Sequence, residues 1–527
     1  MSPSEHAAVR RGVERGAPLL SSIRLALFLV AIGAIVVALV RLRATTEGLR
    51  IERTWVGSTP VTIFHPSGAP LGPVVLIAHG FAGSQQLMQP FATTFAQNGY
   101  IAVTFDLPGH GRSGVPLTGD ITRVEGATQT LVASLKEVEA RVRPEGDGRL
   151  AVLGHSMATD VVVRFAEGVE PGHPVAATIA VSMFSPAVTA DAPRNLLVIV
   201  GEHEGTLRRE ALRAIGLATA PEAPRASVTY GDLALGTGRR AAWSASAEHV
   251  SVLYSRASMR EALAWLDATF GVERTVAPYL DARGGWILLL LGGVVLLARS
   301  VAGALPVVTR PARGAGLELR AFALPLLLPA VATPLALRVI PTHVLPVLVG
   351  DYLAFHFALY GLLTYGCLRW VGPRRPASSP VPRGRLAFAA AVMALYVVVV
   401  FGGAMDTYVT SFAPSLARAP LILAMLAGTL SFSLADEWVA RGPGAPRGAY
   451  AATKCAFLLS LGIAVALDVQ RLFFLVLIVP VILVFFVLFG AMSRWAYRRT
   501  GHPFVGAVAS AIGFAWSIGV TFPMIAG

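Results

Sequence analysis

Beyond Arg283 the chain carries apolar runs near 286–304, 321–340, 343–368, 386–404, 412–434, 449–467, 472–490 and 503–523. Eight runs of this length with few internal charges fit membrane-spanning helices and little else. A further run, Leu25–Val40, lies near the N-terminus between Arg24 and Arg41, with Arg10, Arg11 and Arg15 before it. Its length of about 16 residues is short for a ~30 Å hydrocarbon core, which snorkelling arginines offset. It is long for the core of a signal peptide, and no good A-x-A cleavage site follows, so it reads as an uncleaved anchor. On either reading the segment after it is exported.

Charge supplies the orientation. With the N-terminus inside, the inner segments hold 19 Lys and Arg residues, whereas the outer ends hold only Arg41, Arg43, Arg338, Arg418 and Arg471. Missing one span would invert every later loop and spoil that bias, so the count is nine, with the N-terminus in and the C-terminus out. The net charge of +13 is no sign of nucleic-acid binding, because residues 45–283 hold 20 basic and 23 acidic residues and the remainder holds 24 and 8. Arginine in preference to lysine points to a bacterium. The expected location is therefore a bacterial cytoplasmic membrane, with residues 45–283 facing outward.

Three parts follow: 1–44 as inner terminus and anchor, 45–283 as an exported globular domain, and 284–527 as the multi-span region. In the middle part, short β-rich runs alternate with helical spacing. Val74–Ala78, Ile101–Phe105, Leu150–Leu153, Thr178–Val181 and Leu196–Val200 read as strands. Leu87–Asn98, Val124–Arg143, Met157–Glu167 and Met259–Phe270 read as helices. That rhythm implies a mainly parallel sheet covered on both faces. Cys367 and Cys455 both fall in apolar runs, which leaves the middle part without a disulfide framework or a cysteine zinc cage. His173, His343, His356 and His502 lack ligand spacing, and no Walker or dinucleotide glycine pattern occurs, so no metal or cofactor is expected.

Three motifs carry the chemistry. His79-Gly80-Phe81-Ala82-Gly83-Ser84 follows the first of these strands, and Asp106-Leu107-Pro108-Gly109-His110-Gly111-Arg112-Ser113 follows the second. Leu153-Gly154-His155-Ser156-Met157-Ala158 follows the third. A serine on a sharp strand-to-helix turn has its hydroxyl pushed out of the fold, and small neighbours let strand and helix approach. In this order the motifs resemble the α/β-hydrolase superfamily, in its esterase and lipase branch, over roughly residues 55–272.

The resemblance implies that Ser156 is a nucleophile and that the backbone N–H groups of Phe81 and Met157 form an oxyanion hole. It implies an acid and then a histidine further along. In Gly201-Glu202-His203-Glu204 the family position selects Glu204, with Glu202 as the alternative, and Glu stands where Asp is usual. His249, just before the closing helix, is the base expected from the family; His203 is too close to the acid. His79, His110 and Asp106 are expected to hold loop geometry, and Asp160 to be a helix-face residue.

Only Ser182–Arg194 separates the strand after Ser156 from the acid strand, too little for a multi-helix lid. The site is then open, or covered by loops near 341–343, 405–415 and 468–471 or by the lipid surface. The expected function is a membrane-embedded serine hydrolase of carboxylic esters, with membrane lipids and an ester or lipid-like substrate as partners. Two readings stay open beside it: acyl transfer to an envelope alcohol or amine, and a transporter or receptor whose exported domain only binds ligand. Asp351 and His356 sit in the fourth expected span near Tyr352 and Tyr360, where ionisable groups are costly and mark either function or a polar helix contact. Oligomeric state is not legible.

Overall fold

A computed structural model describes residues 3–66, 68, 71–119, 124–169, 172–220, 222–372 and 380–526, with side chains from Ser22 onward except at 124–125. The expected inner-loop residues Arg374 and Arg375 lie outside the described residues.

The first helix, α1 (Pro3–Ala44), runs past the apolar stretch into the middle domain. That domain follows as β1 (Arg50–Val56), β2 (Thr59–His65), β3 (Val74–Ala78), α2 (Gln89–Gln97), β4 (Ile101–Phe105) and α3 (Val124–Val142). It continues through β5 (Leu150–His155), α4 (Met157–Glu167), β6 (Val175–Val181), β7 (Leu196–Gly201) and α5 (Gly205–Thr219). It closes with β8 (Thr229–Tyr230), β9 (Arg239–Ser244) and α6 (Arg256–Phe270). The nine strands form one sheet in the order β1-β2-β4-β3-β5-β6-β7-β9-β8. Its centre is parallel, and only β1, β2 and β8 run antiparallel to their neighbours.

Alternation along β3 shows how the layers form. Val75 and Ile77 face α2 and α6 in a cluster with Phe91, Phe95, Leu263 and Leu266. Val74 and Leu76 face α3 and α4 with Leu131, Leu135, Val161 and Phe165. Both faces are covered, so the central strands read as continuous apolar runs. The sheet is wider than the five expected strands, by the β1–β2 hairpin at one edge and β8–β9 at the other.

The C-terminal region comprises α7 (Arg283–Ala304), α8 (Leu319–Leu337), α9 (Gly350–Val371), α10 (Arg383–Leu395) and α11 (Gly402–Tyr408), with a π-helical turn Tyr396–Phe401 joining the last two. It continues with α12 (Ala419–Val439), α13 (Ala449–Leu467), α14 (Val469–Thr500) and α15 (Phe504–Thr521). Among the described residues, eight helices are long and apolar enough to cross a membrane. Eight is one fewer than the nine expected. The fourth expected span does form a helix of 22 residues, α9, but it is not among the eight. Asp351, His356, Arg369 and three tyrosines dilute its apolar content.

Hydrogen bonds sort the connecting segments into two groups. Away from the middle domain, Val308 N–H donates to Thr500 O (2.8 Å), Ala315 N–H to Trp438 O (2.8 Å) and Gly316 N–H to Arg441 O (3.0 Å). On the domain side, Leu348 N–H donates to Pro523 O (3.0 Å), Met524 N–H to Gly109 O (2.9 Å) and Ser411 N–H to Ser84 Oγ (2.9 Å). α9 also links the two groups: it follows Leu348 on the domain side, and Leu368 and Val371 near its end pack against Ala315 and Val439 on the other.

One buried ion pair fixes the junction. Arg283, the first residue of α7, is 3% exposed and its partner Asp281 is 0% exposed, with Nε to Oδ2 at 2.9 Å. The same guanidinium donates to Thr93 Oγ1 (3.1 Å) and Thr45 Oγ1 (3.2 Å), so α1, α2 and α7 meet on it. Removing one partner strands a buried charge, which costs roughly 3–5 kcal/mol. Arg283→Ala is expected to lower the unfolding temperature of the detergent-purified protein sharply. Asp281→Ala should do the same, and the double variant should lose less than the two losses added.

Candidate active site

Ser156 occupies the single residue between β5 and α4, with φ 53° and ψ −119°. A non-glycine residue rarely adopts such a backbone, which costs about 1–3 kcal/mol and persists only where the surroundings enforce it. Here they do. Ser156 N–H is anchored to Val181 O at 2.9 Å. A Cβ on Gly154 would lie 2.4 Å from Ala158 O, so strand and helix close only on a glycine. Ala158 itself is fully buried and fits as alanine.

The turn points the serine at a histidine. Ser156 Oγ lies 2.9 Å from His249 Nε2, and His249 Nδ1 lies 2.6 Å from Glu204 Oε1. A carboxylate only accepts, so Nδ1 carries the proton and Nε2 is left to accept from the serine hydroxyl. The other Glu204 oxygen accepts from Gly201 N–H (2.7 Å) and Ser182 Oγ–H (2.7 Å). Three donors thus hold the carboxylate, whose side chain is 7% exposed. Glu202 instead accepts from Ser246 N–H (2.8 Å) on the surface, away from His249. Of the two acids left open in the sequence, Glu204 is the one brought to the histidine.

The neighbouring histidines position backbone. His155 Nε2–H donates to His249 O (2.9 Å) and so steadies the segment that carries His249. Burial, then the adjacent His249, push its pKa down to about 3. His79 Nδ1–H donates to Gly80 O (2.8 Å), and its Nε2 accepts from Leu107 N–H (3.1 Å). Both nitrogens of a neutral ring are used, and burial lowers its pKa. His110 donates from Nδ1 to Pro108 O (2.9 Å), and burial pushes its pKa down to about 3. Asp106 accepts from Gln85 N–H (2.8 Å) and Arg112 N–H (2.9 Å), tying two loops together. Asp160 pairs with Arg164 (2.9 Å) and accepts from Ser185 (2.7 Å) on the flank of α4.

A Cβ on Gly80 would lie 3.0 Å from Ser156 Cβ, so the turn bearing Phe81 rests directly on the serine. Met157 opens α4, where an N–H has no intrahelical acceptor. Phe81 N–H makes no backbone hydrogen bond among the described residues. Among the described residues neither N–H has a backbone acceptor outside the helices and strands, and both belong to segments next to Ser156.

The helical region closes over this turn. The Phe81 ring stacks on Phe474 of α14, centroids 4.2 Å apart, and meets Phe522 edge-on at 6.3 Å. Phe81 and Tyr254 pack into the apolar core of the helices, and Ile525 packs into the core of the sheet domain. Of the three loops expected near the site, 405–415 touches the segment just after Phe81, through Ser411 and Ser84. Of the rings that reach Phe81 itself, Phe474 lies three residues past the expected segment 468–471, whereas Phe522, directly after α15, lies outside all three. Asp351 and His356 are not part of the site. Asp351 faces His343 at 3.6 Å, and His356 bonds Ser460 at 3.1 Å between helices. Among the described residues no group of His, Cys, Asp and Glu is arranged to hold a metal ion. Ser182, His155 and Phe474 were not singled out in the sequence. His155 had a local signal, its place directly before the serine in the motif, and Ser182 another, its place just after the strand beside the serine.

The buried imidazoles give stability a pH dependence. Between their ordinary value of 6.5 and about 3, His110 and His155 stay neutral in the folded chain while the unfolded chain protonates them. Stability is complete above pH 6.5 and declines as pH falls toward 3, by ~1.4 kcal/mol per pH unit per histidine. Unfolding temperatures between pH 7 and 4 should show this fall, and His155→Gln should make it shallower by about one proton's worth.

A known protein family agrees with this architecture. Residues 70–214 match the hydrolase family described as serine aminopeptidase, S33. Solved structures similar to the chain include TT1662 from Thermus thermophilus, at 22% identity and TM-score 0.31 over 43% of this chain and 99% of that one. A membrane phospholipase A, a bacterial virulence factor, aligns at 15% identity and TM-score 0.30 over 49% and 99%. The epoxide hydrolase VrEH1 of Vigna radiata aligns at 20% identity and TM-score 0.22 over 27% of this chain and 42% of its own. The chain thus spans less than half of that enzyme's length. None of the curated proteins matches the chain. The nine-stranded domain carries the α/β-hydrolase fold, and within it residues 70–214 are similar to the S33 serine aminopeptidase family.

Proposed function

We propose that the chain is a membrane-embedded serine hydrolase that cleaves a carboxylic ester through an acyl-enzyme on Ser156. The row Ser156 Oγ–His249–Glu204, at 2.9 and 2.6 Å, carries this reading. His249 Nε2 takes the serine proton as Oγ attacks the acyl carbonyl. Glu204 keeps the ring in the right tautomer and stabilises the imidazolium that forms. The N–H groups of Phe81 and Met157 receive the oxyanion, and removing one such donor typically costs ~10²–10³ in rate. His249 then hands its proton to the leaving alkoxy oxygen. Water, deprotonated by the same nitrogen, releases the acid and restores the serine.

The setting favours an amphiphilic ester. Phe81, Phe474 and Phe522 place aromatic surface beside the oxyanion turn, on the side of the helices. In this reading residues 1–44 anchor the chain, 45–283 form an extracytoplasmic hydrolase domain, and 284–527 lie in the membrane. The arginines of the far connections, Arg310, Arg313, Arg441 and Arg498 among them, support a cytoplasmic position for that end.

The test is turnover of nitrophenyl esters of increasing chain length by the full-length protein in detergent. Ser156→Ala and Glu204→Gln should each lose about 10³-fold or more in kcat, while Glu202→Gln keeps near-normal activity. Phe474→Ala should raise KM for long acyl chains and leave the acetate ester unchanged. Retained turnover in Ser156→Ala would refute the mechanism.

A further inference from the structure

A second concave site lies where the sheet domain meets the membrane helices. It is a cleft of ≈ 620 Å³ bounded by the end of α1, the β1–β2 hairpin, the segment 85–89 and the end of α11. None of Ser156, Glu204, His249, Phe81 or Met157 lines it. Its size suits a small-molecule headgroup.

Charge decides what would fill it. Arg43, Arg53, Arg112 and Arg283 line the cleft against a single carboxylate, Asp406. Two of these arginines are already paired, Arg112 with Asp406 and Arg283 with Asp281. Asp406 is further neutralised by Phe412 N–H and Ala413 N–H, each at 2.8 Å. Arg43 and Arg53 make no ion pair among the described residues, and both are exposed. The terminal carbonyls of α1 would repel an anion, but Thr45 Oγ1 caps Leu42 O (2.7 Å) and Thr46 Oγ1 caps Arg43 O (3.0 Å). Two free planar forks at one cleft suit a phosphate, which each can grip in a bidentate way.

Position says where the phosphate comes from. Val36, Val37 and Val40 on α1, exposed at 52%, 48% and 61%, lie within two turns of Arg43 and offer a surface to acyl chains. Trp55, 59% exposed, lines the same cleft, as aromatic residues do at the boundary of a bilayer.

We propose that this cleft binds the phosphate headgroup of an anionic phospholipid from the outer leaflet, held by Arg43 and Arg53. The ligand bridges α1 and the sheet domain and so clips the domain to the membrane surface. The proposal rests on the membrane-spanning reading above and not on ester cleavage.

Native mass spectrometry of the full-length protein tests it, with dioleoyl phosphatidylglycerol compared with dioleoyl phosphatidylcholine. The wild type should retain phosphatidylglycerol preferentially. Arg43→Gln/Arg53→Gln should weaken that retention about tenfold or more. Turnover of a soluble ester should be unchanged in this variant. Equal retention of the two lipids, or undiminished retention in the variant, would overturn the proposal. Displacement of the lipid by millimolar inorganic phosphate would overturn the lipid source and leave a small-anion site. Carbonate extraction of membranes separates the two levels: a protein released by carbonate refutes the membrane reading itself, whereas one that resists and shows no preference refutes only the cleft.

Discussion

Everything the site can do depends on the backbone of one serine. At φ 53° Ser156 stands in a region that L-residues avoid, and the fold holds it there with a strand on one side and a helix on the other. Release of that turn would take Oγ away from His249, 2.9 Å away, and would displace Met157 N–H with it. The absence of a side chain at Gly154 and Gly80 is therefore as much part of the site as the side chains of Ser156, His249 and Glu204. Glycine at the first lets α4 start against β5, and at the second it lets the Phe81 turn rest on the serine.

The second constraint comes from outside the sheet domain. In place of a lid of its own, the domain presents the Phe81 turn to the helices, and Phe81 is stacked by Phe474. Arg418 reinforces the seam. It is fully buried and donates to Gly519 O (2.9 Å) and Phe522 O (2.9 Å) on one side and to Gly109 O (2.6 Å) on the other. The chain beyond α15 then pairs with the loop after β4, with Leu117 N–H on Met524 O at 2.8 Å. The loop that supports the proposed catalytic turn is thus clamped by the last residues of the chain. On this account the helical region takes part in shaping the site as well as anchoring it.

Much of this was legible in the residues themselves, for reasons that differ by element. The central strands were readable because both faces of β3, β4 and β5 are covered and nearly every residue is apolar, Thr104 and the terminal His155 excepted. The edges were not. β1 alternates exposed and half-buried residues, and β9 opens with two arginines, of which Arg239 is buried by long-range packing. The serine, its flanking glycine and its two proposed donors carried local signals. The choice of Glu204 over Glu202 rested on the family position alone; the donors that hold Glu204, from Ser182 and Gly201, are brought together only by the fold. The aromatic cover was less legible still, since nothing in the run around Phe474 distinguishes it from its apolar neighbours.

The account stands or falls on whether Ser156 is an activated nucleophile. Labelling of membranes with a fluorophosphonate probe reads this directly, in the wild type, Ser156→Ala and His249→Ala. The account predicts one labelled band in the wild type and none in either variant. Labelling that survives in Ser156→Ala, or a folded wild type that never labels, would contradict it.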